Sequence, residues 1–99
     1  MQMSAAPMAS ALPDVSSVSA ANAVGVIEYC MHHELVSSVV ADLVLRPLIS
    51  TPGLRASADY AAGRTGHILT HGKSFAIGQT HKHLRSELCD RVLRQAQRL

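Results

Sequence analysis

The chain has 99 residues, 47% of them hydrophobic and 16% charged, with a formal charge of +2 and two cysteines. That length holds one domain, and so small a positive balance does not mark the whole protein as a polyanion binder. No apolar run approaches the roughly 18 residues that a membrane span needs, so no transmembrane segment is expected.

With no Trp, two Tyr and one Phe, the core must be aliphatic. Residues 1–20 show no periodicity, and Pro7 and Pro13 interrupt any helix there. They read as a disordered leader or signal-peptide remnant ahead of a single helical domain, residues 21–99. Met1–Ala11 lacks a basic n-region, but Ala9-Ser10-Ala11 has the small-x-small form of a signal-peptidase site. It reads as the tail of an export signal that starts upstream, or as a disordered leader.

Asn22 is the expected cap of a first helix running to about His33, with Val24, Ile27, Cys30 and Met31 on one face. Gly25 within it costs roughly 1 kcal/mol against Ala and leaves room for a neighbouring helix to pack closely. Ser37 or Ser38 caps a second helix. Val39, Val40, Leu43, Val44, Leu45, Leu48 and Ile49 make that segment the most apolar, so it is expected at the centre of the bundle. Pro47 is expected to end or kink it near Leu45. Thr51-Pro52 reads as the start of a third helix extending to about Ala62, with Gly63 as its left-handed terminator. Residues 63–79 read as a glycine-punctuated connection with a short helical turn at most and a brief strand. Thr80 then caps the last helix, where Leu84, Leu88, Val92, Ala96 and Leu99 form an apolar stripe and Arg85, Arg91, Arg94 and Arg98 fall mostly on the other side.

Cys30 and Cys89 stand in the first and last helices, too far apart for a redox C-x-x-C motif. The reading is a disulfide staple between those helices, worth about 4 kcal/mol by chain entropy. Two buried free thiols are the alternative if the chain stays in a reducing compartment. The six histidines include His32 and His33 at the end of the first helix, and the pairs His67/His71 and His81/His83. Those four paired histidines are the metal-ligand candidates, although their spacing matches no known metal motif and no metal or other cofactor is expected. Ser37, Ser38 and Ser74 lie in no nucleophile elbow, and Gly72-Lys73-Ser74 lacks the earlier glycine of a phosphate loop, so no catalytic residue is assigned. The last helix is basic, with five cations against Glu87 and Asp90. It has no aromatic platform or helix-turn-helix spacing, so no specific nucleic-acid partner is expected.

Val24-Gly25-Val26-Ile27-Glu28-Tyr29-Cys30 and Cys89-Asp90-Arg91-Val92-Leu93-Arg94-Gln95-Ala96 resemble the two ends of the YjjA-like small exported bacterial proteins, a domain of unknown function. Tyr60, Gly63, Gly66 and Gly72-Lys73 are similar to that family's middle pattern. The resemblance covers about Asn22 to Leu99. It implies a periplasmic or secreted location and a Cys30–Cys89 pair, and it carries no catalytic residue with it. The fold expected is all-α, a small bundle of three to four short helices whose first and last members are joined by the disulfide. The function expected is that of a non-enzymatic exported protein, acting on a protein partner, in envelope stress or by self-association. A histidine-based metal-binding module is the alternative.

Overall fold

The computed structural model describes residues 12–99. Four α-helices frame the described residues: α1 (Ala20–His32), α2 (Ser38–Ile49), α3 (Ala58–Arg64) and α4 (Lys82–Ala96). Between α3 and α4 lies one antiparallel hairpin, β1 (His67–Thr70) and β2 (Lys73–Ala76). The all-α frame expected from the periodicity is therefore present, with this small hairpin added to it. The Cys30–Cys89 disulfide joins α1 to α4, with Cα atoms 6.1 Å apart and both residues fully buried.

The central helix is α1. Asn22 through Ile27 are buried without interruption, and Cys30 follows. Such all-round burial means neighbours on every side of the helix. They are α3, α4, α2 and β1. The closest approach is to α3, where Gly25 and Gly63 meet. A Cβ added at Gly63 would stand 2.6 Å from the Asn22 oxygen and the Val26 nitrogen. Gly63 thus sits inside α3 as a packing residue and not as its terminator. The left-handed conformation falls instead to Gly66, at φ 87°, where a side chain would also strike the Tyr29 ring.

Several start signals act differently from the sequence expectation. Ser19 caps α1, its Oγ accepting from the Asn22 amide at 3.0 Å. Asn22, expected as that cap, is instead fully buried and binds two other elements. Its Nδ2 donates to the carbonyls of Asp59 (3.1 Å) and His67 (3.0 Å), and its Oδ1 accepts from the Leu69 amide at 2.8 Å. One amide side chain so fastens α1 to the start of α3 and to the unpaired edge groups of β1. Ser37 caps α2 as expected. Pro47 lies within α2, which continues to Ile49. The Leu43 carbonyl, which has no amide partner at Pro47, belongs to an exposed residue.

Thr51-Pro52 leads only to a turn. Gly53 adopts φ 76°, a 3₁₀ turn spans Leu54–Ala56, and Ser57 caps α3 by accepting from the Tyr60 amide at 3.2 Å. At the last helix, Thr80 donates its hydroxyl to the Ile77 carbonyl and closes the preceding 3₁₀ turn. His81 occupies the cap position of α4 and makes no side-chain capping bond. Arg85 ties that junction together, donating to the carbonyls of Thr80 (3.1 Å) and Gly78 (2.9 Å).

The hairpin turn is His71-Gly72, with φ 52° and 73°. Two positive φ values at a two-residue loop are what the right-handed twist of paired strands favours. β1 buries Ile68 and Thr70. Thr70 donates to the Asp14 carbonyl at 2.6 Å and, its one proton being spent, accepts from Ser17 at 2.7 Å. The segment before α1, which the sequence reading set outside the helical domain, is thereby held on it from residue 12 onward, with Val15 and Val18 buried in the core. Met1–Ala11, read as an export-signal tail or leader, lies outside the described residues.

Candidate functional site

The most apolar helix is the least buried of the long ones. In α2 only Ala41 and Leu45 are buried. Val39 is 72% exposed, Leu43 60% and Val40 44%. The sequence placed this helix at the centre because of its apolarity, but α1 takes that position. α2 carries apolar groups around most of its circumference. The described elements pack only against its Ala41 and Leu45 side, so among the described residues an apolar face is left exposed.

That face continues into a groove of about 380 Å³ between α2 and the end of α4, lined by Leu43, Val44, Pro47, Leu48, Ala96 and Leu99 together with the polar Gln97. Leu99 is half exposed. The opposite edge of the face is polar. Asp42 and Arg46, one turn apart, form an exposed ion pair at 2.9 Å. Contiguous apolar surface edged by charge is the usual composition of a protein-docking site.

A second cluster lies across α1. The Glu28 carboxylate, 15% exposed, accepts from Tyr60 Oη at 2.5 Å, Arg55 Nη2 at 2.7 Å and Arg64 Nη1 at 3.3 Å. Arg64 also donates to Tyr60 Oη at 3.1 Å. Burial pushes the Glu28 carboxyl up, but the bonds from Tyr60 and Arg55 and the two guanidinium charges outweigh that and hold it below the usual glutamate range. Both oxygens are engaged, so this carboxylate is a poor proton acceptor. The cluster locks α1 to α3 and to the turn before it. A groove of about 430 Å³ runs beside it, between Glu28, His32, Asp42 and Ile49.

The histidines are dispersed. His67 begins β1, its Nδ1 3.0 Å from the Thr65 hydroxyl. His71 stands in the hairpin turn, its Nε2 3.4 Å from the exposed Asp14 carboxylate. Extended backbone rising roughly 3.3 Å per residue separates the two, so they do not face one ion as neighbours on a helix would. The His81 and His83 rings stack with centroids 5.7 Å apart, and the His32 and His33 rings meet edge to face at 5.5 Å. Among the described residues, no three His, Cys, Asp or Glu side chains come together as a metal-binding group. The cysteine sulfurs bind each other. On α4, Arg91 is paired to Glu87 at 3.1 Å, while Arg94 and Arg98 border a shallow hollow of about 240 Å³ beside Asp14.

The residues that sequence reasoning missed are Val39, Val40 and Leu43, which it assigned to the core. The signal was present: their positions and those of Leu45 and Ile49 fall on different sides of the helix, which is more apolar circumference than one packing partner covers. Among the described residues, fold and surface define a small disulfide-stapled helical domain in which α2 leaves an apolar face uncovered. No family model, curated protein or solved structure matches the chain.

Proposed function

We propose that the protein is an exported, non-enzymatic binding module that docks a protein surface through the apolar face of α2. The observation that carries this reading is the exposure of Val39, Val40 and Leu43 beside the Leu48–Leu99 groove. A contiguous apolar stripe in water is costly unless a partner covers it. Export is supported by the buried disulfide, since such bonds persist in oxidising compartments, and by the likeness of the two cysteine-bearing ends to the YjjA-like proteins. The non-enzymatic reading is supported by Glu28, whose lowered pKa and fully engaged oxygens suit a structural clamp.

The test is site-specific photo-crosslinking in the cells that make the protein, with the photoreactive residue at Leu43 or, as a control, at Arg98. A discrete protein adduct is expected from Leu43 and not from Arg98, and Val39→Asp should abolish it. Absence of any protein adduct at Leu43, or equal adducts at both positions, would overturn the reading. Cell fractionation of the same samples tests export: the adduct belongs outside the cytoplasm.

A further inference from the structure

The charge pattern on the edge of the α2 face points to the partner's chemistry. We infer that the occupant is a second copy of this chain, packed through an antiparallel, two-fold symmetric α2–α2 contact. This inference rests on the reading of α2 as a docking face and specifies what docks there.

At 100° per residue, Val39, Leu43 and Pro47 form a nearly straight exposed stripe, and Val40 widens it on one side. Asp42 and Arg46 lie together on the other side, acid toward the N-terminus and base toward the C-terminus. A two-fold axis crossing the stripe near Leu43 and Val44 reverses the second helix, so that Asp42 of one copy comes level with Arg46 of the other. In an antiparallel pair like edges meet like edges, so both charge pairs form on the same flank. A parallel two-fold pair of the same helices would place the two charged edges on opposite flanks, where neither charge meets its complement. The helix dipoles oppose each other favourably in the antiparallel arrangement as well.

The intrachain pair leaves capacity for this. Arg46 Nε and Nη2 both end on Asp42 Oδ2, at 3.1 and 2.9 Å. Oδ1 and Nη1 remain to face the second chain. Both side chains are more than half exposed, so they reach outward without disturbing the fold. The stripe itself is short: a helix of 12 residues is about 18 Å long. The contact is therefore at the small end of interface sizes, and the dimer should be concentration-dependent.

Sedimentation velocity of the purified disulfide-bonded protein across a concentration series tests this. The wild-type protein should move toward twice its monomer mass. Asp42→Arg alone sets cation against cation where the two copies meet, and Arg46→Asp alone sets anion against anion. Each variant should therefore dimerise about tenfold or more weakly. An equimolar mixture of the two should regain wild-type association, because each like-charge contact becomes an opposite-charge one. Circular dichroism confirms that every variant stays helical. Val39→Asp, at the most exposed apolar position, should leave a folded monomer. A dimer indifferent to Val39→Asp, or a mixture no tighter than its components, would overturn the antiparallel contact. A protein that stays monomeric throughout, yet crosslinks from Leu43 to a different protein in cells, would overturn the second copy and leave the docking face standing. A monomer that also gives no adduct in cells would overturn both.

Discussion

The crossing of α1 and α3 sets the sharpest stability test, through Gly25→Ala. On an isolated helix that change stabilises by about 1 kcal/mol, because Gly is the poorer helix former. Here the new Cβ would overlap the Tyr60 carbonyl oxygen and stand 2.9 Å from the Arg64 nitrogen and 3.0 Å from Gly63 Cα. All three atoms are backbone, so no rotamer change relieves the overlap and the helices must separate. Overpacking of this kind costs about 1–3 kcal/mol and sometimes more. With neighbours this rigid the cost belongs at or above the top of that range, which leaves a net loss of about 2 kcal/mol after the helix gain. In urea, a small protein with a slope near 1 kcal/mol/M would show a midpoint lower by about 2 M, and in a thermal scan a Tm lower by about 10 °C. The measurement is made on the disulfide-bonded protein. Gly63→Ala should act similarly, and the double variant should cost less than the two together because both occupy one contact. A midpoint unchanged or raised by Gly25→Ala would refute the close crossing.

Two further predictions concern what holds α1 in place. The pKa of Glu28 is held below the ordinary glutamate range, so its contribution to stability is present above that range and is lost as pH falls through the folded-state value. The urea midpoint of the wild-type protein should therefore fall on acidification, while Glu28→Gln starts about 1–2 kcal/mol lower at neutral pH and falls less steeply; parallel curves would contradict the clamp. Replacing both Cys30 and Cys89 by Ala removes a crosslink between residues 59 positions apart and should cost about 4 kcal/mol of stability, read from urea unfolding. In the native protein the buried sulfurs should resist a thiol reductant until denaturant is added, and rapid reduction without denaturant would contradict their burial.

Much of this architecture follows from local pattern, which is why it is legible in the chain. The Ser37 cap, the Leu88, Val92 and Ala96 stripe of α4 and the place of Cys30 in α1 depend on side chains within a turn or two of each other, and helical spacing reports such relations directly, whereas Leu99, expected on that stripe, lies beyond the helix and half exposed. The cysteines are readable as a staple because two of them, one in each of two amphipathic helices, have an obvious mutual partner.

What the chain could not disclose depends on which surface meets which. Asn22 has the chemistry of a cap and would serve as one in isolation. Burial against α3 and β1 gives its amide three backbone partners, and the neighbouring Ser19 takes the cap. Gly63 has the chemistry of a terminator, but the approach of α1 makes it a contact point. The same holds for the candidate site. Apolarity marks α2 as a helix that ought to be buried, but only the tertiary arrangement decides that α1 occupies the centre, leaving Val39 and Leu43 in water. Local sequence thus determines which helices form, because those energies are short-range, while three of the four helix starts shifted with the packing around them. The tertiary structure alone decides which apolar face of the described residues is left exposed, because that depends on which elements pack against which.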